Sequence, residues 1–182
     1  MKQVLATLCA FFLGSISIAH ANPAYSPPGG WPHSIALPKI AVNATVDPLR
    51  LDHLGPIDQT PTWSQVGWWD VGTRPGDLGI AQFYGHLDSF SGPAVFWHLD
   101  RLRPGDVVRI AYRHGGWLTF RVMWSKSYAD SQVPMNWMLT SHSTRAIALI
   151  TCGGTFHGLH NGGYDHKLLV YARLVLPNGT LG

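Results

Sequence analysis

The sequence contains no glutamate; all ten of its acidic residues are aspartate. Glutamate is a good helix former, whereas aspartate prefers caps and turns, so a chain built on long, salt-bridged helices is excluded. Cysteine is nearly as scarce, with only Cys9 and Cys152 in 182 residues, which excludes a disulfide-stapled scaffold. Charge of either sign is sparse, and the 13 Lys and Arg residues are scattered, with no stripe to track phosphates. Nucleic acid is therefore excluded as a partner. No internal repeat or low-complexity segment is visible. Glycine (20), proline (13) and aromatic residues (eight Trp, six Tyr, seven Phe) are plentiful. That composition favours strands and turns, and predicts a β-rich domain.

The first 21 residues, "MKQVLATLCAFFLGSISIAHA", stand apart. Lys2 forms a minimal basic region, Val4 to Ala19 is mostly apolar, and Ala19-His20-Ala21 is a small-x-small cleavage site. The pattern predicts a secretory signal peptide, with an uncleaved membrane anchor as the alternative, since the apolar run is short for a span of about 20 residues. Removing 21 of 182 residues leaves 161, which suits one domain, and leaves Cys152 as the only cysteine. An idle thiol is a liability in an oxidising compartment, so an unpaired cysteine there points to a free reactive thiol or an intermolecular bridge rather than a buried, inert residue.

Residues 22–33, "NPAYSPPGGWPH", predict a flexible lead-in, and residues 34–182 a single domain. Strand-like stretches run over Ser34 to Val46, Leu78 to His86, Asp106 to Arg113, Gly116 to Tyr128, Arg145 to Cys152 and Lys167 to Leu176. His114-Gly115-Gly116 predicts a hairpin turn. Gly92 to Leu102 spaces Val95, Phe96, Leu99 and Leu102 as a short helix would, and Pro134 to Ser141 allows one more turn. Six to eight strands with turns between them predict a closed all-β barrel or a sandwich.

A thiol becomes a nucleophile only as the thiolate, so Cys152 needs a base or cation beside it. His86, in "IAQFYGHLDS", closes an apolar strand and opens a loop, as Cys152 does in "ALITCGG", and is the best-placed partner. His33, His53, His114, His142 and His160 sit in polar or turn-like stretches and read as solvated. His157, His160 and His166 follow the cysteine closely, but structural zinc wants about four ligands at better-defined spacing, so no metal or other cofactor is expected.

An ordered series of motifs around these two residues resembles the sortases, cysteine transpeptidases of the Gram-positive cell envelope, and within them classes E and F. The pieces are Gly85-His86-Leu87-Asp88-Ser89, Gly92-Pro93-Ala94-Val95-Phe96, Leu99 to Leu102, Pro104-Gly105-Asp106 and, 66 residues after His86, Thr151-Cys152-Gly153-Gly154. Upstream, "IALPKIAVNATVDPLRLDHLG" and "VGWWDVGTRPGDLG" are similar to the family's opening strands. The resemblance spans about Ser34 to Val175 and implies a closed eight-stranded barrel in which Cys152 ends the seventh strand and faces His86 across a groove. It further implies cleavage of an LPxTG-type sorting signal between Thr and Gly, through a thioacyl link to Cys152. The acyl group then passes to an amine from a cell-wall precursor or a pilin. Backbone N–H groups beside Gly153 would hold the oxyanion, and an exported protein, secreted or anchored at its N-terminus, is implied. The calcium sites of some sortases use acidic clusters including glutamate, and nothing comparable is present.

One departure stands out. The family arginine belongs after Tyr164, where this chain has Asp165. Lys167 lies two residues on, facing the same side of a strand, and is the expected substitute, the alternative being a lysine pointing to solvent. Lysine brings a point charge rather than a planar fork. Thr151 and Ser89 are candidates for substrate contact, though both also suit strands and turns. Trp68 and Trp69 could wall a peptide groove or join the core. Two other readings compete: an L,D-transpeptidase, whose Ser-x-Gly-Cys stretch is missing here, and a sortase-shaped domain that binds sorting peptides without turning them over.

Overall fold

The computed structural model describes residues 25–49 and 62–182. The signal peptide expected over residues 1–21 lies outside the described residues. Among these, no helix is long and apolar enough to cross a membrane.

Eight strands close a mixed barrel: β1 (Pro32–Leu37), β2 (Val42–Leu49), β3 (Val66–Trp69), β4 (Gly79–Tyr84), β7 (Val107–Tyr112), β8 (Trp117–Ala129), β9 (Arg145–Phe156) and β10 (Tyr164–Leu174). Around the barrel they run β1-β2-β3-β4-β9-β10-β8-β7, with β7 returning to β1. A separate two-stranded ribbon, β5 (Asp88–Ser89) and β6 (Gly92–Pro93), sits in the loop after β4. Most neighbours are antiparallel, while β2–β3 and β4–β9 are parallel. Of the barrel and sandwich that the strand count allowed, the structure is the closed barrel, as the resemblance implied.

Alternation along each strand separates two apolar layers. Ile147 and Leu149 of β9 point inward with Phe83, Phe120, Val170 and Ala172 to fill the barrel. Ala146, Ala148 and Ile150 point outward and pack with Ile80, Leu169 and Tyr171 beneath Met138 of the short α-helix α1 (Met135–Leu139). β9 is thus buried on both faces, which is why "AIALI" reads as a continuous apolar run rather than an alternating one.

Several elements differ from their sequence reading. Ser34 to Val46 is not one strand: Pro38–Ile40 forms a 3₁₀ turn and Ala41 takes a left-handed conformation (φ 55°), folding β2 back on β1. Gly92 to Leu102 is not a helix beyond the 3₁₀ turn Leu99–Arg101. The amides of Ala94, Val95 and Phe96 instead donate to the carbonyls of Leu87, Trp63 and His86, so the apolar spacing anchors a loop. Part of the lead-in lies against the barrel, with Trp31 edge-on to Trp68 and Arg145 over the Tyr25 ring.

Candidate active site

Parallel pairing of β4 with β9 brings the two central residues together. Tyr84 pairs with Ile150, and both chains then run on past the same rim. His86 and Cys152 each lie two residues beyond that pair. The Gly85 amide donates to the Ile150 carbonyl at 3.1 Å, carrying the pairing one residue past β4, and His86 and Cys152 emerge on the face that opens into one cavity. That face is the outer one, continuous with Ile150 and Leu169. On the other side of Cys152, antiparallel β10 places Lys167 as its register partner. His86, Cys152 and Lys167 therefore form a row across three neighbouring chain segments.

All three line a cavity of about 580 Å³, walled by Trp63, Asp88, Phe90, Phe156, Leu159 and Tyr164. Trp63 packs on the His86 ring at 4.4 Å between centroids and fixes one side of the imidazole. Gly85 is needed just before it, because a Cβ there would stand 2.5 Å from the Phe96 ring. The Tyr164 hydroxyl donates to Asp88 Oδ2 at 2.6 Å, tying the histidine loop to the start of β10, and this bond pushes the phenol up to about 12.

Burial pushes the Cys152 thiol above its ordinary range, opposed chiefly by the nearby Lys167 ammonium, while Asp130 and Asp88 add to the rise. Burial thus favours the neutral thiol over the thiolate. Lys167 Nζ donates to both carboxylate oxygens of Asp130, at 3.0 and 3.2 Å.

The other expected residues fall in different places. Thr151 points inward, only 3% exposed, and its hydroxyl donates to the Gly85 carbonyl at 2.8 Å. Ser89 lines the cavity, but its hydroxyl is taken up within the β5–β6 turn by the Gly92 carbonyl and the Ser91 amide. Gly153 is not among the cavity's described lining residues; the ladder continues through it to His166. Trp68 is core, and neither it nor Trp69 lines the cavity.

Cys152 does not end its strand, since β9 continues to Phe156 as a hairpin arm with β10. A register shift between Tyr164 and His166 lets it through, and Gly154 (φ 78°) takes a conformation disfavoured for other residues. Asp165, at the arginine's expected place, locks this arm: it accepts from the Thr155 amide (2.8 Å) and pairs with His157 (3.1 Å) and His166 (2.7 Å). Among the described residues no cluster of three or more His, Cys or Asp could hold a metal ion.

Sequence reasoning missed Trp63 and Asp130. Trp63 reaches His86 only through the loop contacts after β4, and Asp130 reaches Lys167 only through the β8–β10 ladder, which pairs Ala129 with His166. No local motif marks either residue.

The same fold is found in solved sortases. Sortase C-1 from Actinomyces oris aligns over 79% of this chain and 71% of its own, with 21% identity and a TM-score of 0.61. Sortase A from Corynebacterium diphtheriae aligns over 81% of this chain and 63% of its own, with 22% identity and a TM-score of 0.62. Sortase C1 from Streptococcus agalactiae aligns over 79% and 67%, with 19% identity and a TM-score of 0.61. No curated protein sequence matches the chain. The sequence model of the sortase domain matches residues 35–175, which is most of the chain and contains His86, Cys152 and Lys167. On that match, the chain belongs to the sortase family of cysteine transpeptidases.

Proposed function

We propose that this chain is an exported sortase of the class E/F kind, which cleaves LPxTG-type sorting signals between Thr and Gly and passes the acyl group to an amine. The observation that carries the reading is the row His86, Cys152, Lys167 on one face, lining one cavity. The class rests on the Gly-His-x-Asp-Ser and Thr-Cys-Gly-Gly stretches.

Burial disfavours a free thiolate, so attack is coupled to deprotonation in this reading. Cys152 Sγ bonds to the Thr carbonyl carbon as its proton passes to His86, and Lys167 offers a positive charge to the developing oxyanion. The C–N bond then breaks, and the glycine amine leaves with the proton from His86. An acceptor amine attacks the thioester, its proton passes through His86, and Cys152 departs as the thiol. Splitting amide exchange into two acyl transfers lowers each barrier. The acceptor is an amine of a cell-wall precursor or a pilin lysine, and the cell surface is the place of action. Thr151 serves this chemistry from behind, through its bond to Gly85.

The test is turnover of a fluorescence-quenched LPxTG peptide with and without an added amine nucleophile. Cleavage with transfer to the amine, abolished by Cys152→Ala, supports the reading. Tight binding of a panel of sorting peptides without cleavage contradicts it and favours a peptide-binding role.

A further inference from the structure

Lysine in place of the family arginine raises a geometric difficulty. A guanidinium carries a pre-organised planar fork that orients itself on an oxygen pair, whereas an ammonium is a point charge on a flexible four-carbon stem. A cation that wanders is a poor oxyanion partner, since a misplacement of about 1 Å at a reacting centre can cost a hundredfold in rate.

The structure supplies a second holder. Asp130 is the first residue after β8, opening the 3₁₀ turn Asp130–Gln132. Its backbone position is fixed by the β8–β10 ladder, in which Tyr128 pairs with Lys167 and Ala129 with His166. The ladder places Cys152, Lys167 and Tyr128 side by side, with Asp130 closing the row. Both Asp130 oxygens meet Nζ, at 3.0 and 3.2 Å, while the two side chains remain 31% (Lys167) and 47% (Asp130) exposed. An ion pair that open contributes little to folding. Its consequence is therefore positional.

We propose that Asp130 is a positioning residue, gripping the Lys167 ammonium with both carboxylate oxygens so that the lysine keeps a fixed place beside Cys152. This inference rests on reading Lys167 as the cation of the site. The pair together stands in for one arginine: the charge comes from β10 and the orientation from the end of β8. Asp130 also acts directly, because its charge faces the thiol along with Asp88, against Lys167, with His86 and the neutral Tyr164 phenol completing the surroundings. Holding and opposing have different signatures, which makes the role separable.

The first arm needs no turnover. Iodoacetamide alkylation of Cys152 at pH 8 is followed in wild type, Lys167→Ala, Asp130→Asn and the double variant, with melting temperatures recorded to confirm folding. Loss of Lys167 slows alkylation about fivefold when Asp130 is present, because a cation beside the thiol favours the thiolate. With the ammonium released, the same loss slows it less than about twofold in the Asp130→Asn background. An equal or larger effect in that background would mean that Asp130 does not hold Lys167 at the thiol, and would overturn the proposal. The second arm is sorting-peptide cleavage. Asp130→Asn lowers kcat about tenfold with little change in KM, and Lys167→Arg in the same chain restores most of it, the fork orienting itself. A loss that arginine does not rescue would mark Asp130 as merely structural and overturn the proposal. If wild type cleaves nothing, the functional reading falls, and the alkylation cycle still judges the hold.

Discussion

The hydroxyl of Thr151 donates to the carbonyl of Gly85 at 2.8 Å, joining the residue before Cys152 to the residue before His86. One part-buried bond thus sets the spacing of Cys152 and His86. Thr151→Val keeps the shape and removes the donor. It should cost about 1–3 kcal/mol in denaturant unfolding and lower kcat more than KM. Thr151→Ser should recover most of the kcat, which urea titration and peptide turnover together would check.

The two glycines after Cys152 should tolerate alanine very differently. A Cβ on Gly153 meets nothing closer than 3.8 Å, whereas one on Gly154 would run into the Asp165 carboxylate at φ 78°. Gly153→Ala should fold with wild-type stability. Gly154→Ala should lose about 1–3 kcal/mol from the left-handed backbone and the crowding. Melting temperatures of the two variants decide it.

Acid should loosen the β9–β10 arm before the barrel. Hydrogen bonds from His166, His157 and the Thr155 amide hold the Asp165 carboxyl well below the usual range of about 3.8. A carboxylate depressed in the folded state stabilises above its unfolded pKa, and that contribution fades as pH falls toward the folded value. Asp165→Asn should therefore melt below wild type at pH 5 to 7, with the gap shrinking below about pH 4. A gap that stays constant with pH would mean the carboxylate contributes no charge-dependent hold.

Trp63 is 44% exposed and contributes its ring to His86 rather than to the core. Trp63→Ala should leave the melting temperature nearly unchanged while cutting peptide turnover about tenfold through a misplaced imidazole. Trp63→Phe should keep most of the rate. Its backbone carbonyl, which accepts from the Val95 amide at 2.9 Å, is untouched by either change.

Legibility followed the range of the interaction. Strands β7 to β10 show in the sequence because their apolar residues repeat locally, and His86 and Cys152 show because each follows an apolar run and precedes a loop motif. Lys167 was reachable only through the family's arginine position together with strand parity. The break at Pro38 was hidden because Ala41, rather than a glycine, takes the left-handed turn. The Gly92 to Leu102 stretch misled because loop anchoring and a short helix share one apolar spacing. The extension of β9 to Phe156 was masked by Gly153-Gly154, which reads as a loop but serves a register shift within the ladder. Asp130 depends on which strands become neighbours and Trp63 on how the loop after β4 folds back, and neither is written near the residue concerned.

The central claim is that Cys152 carries the acyl group, and intact-mass analysis tests it most directly. The protein without its first 21 residues would be mixed with an LPxTG peptide, quenched in acid within seconds and compared with Cys152→Ala. The account predicts a mass increase equal to the peptide's acyl fragment on wild type alone, mapped to Cys152 and released by an added amine. Cleaved peptide with no such adduct, or equal cleavage by Cys152→Ala, would contradict it.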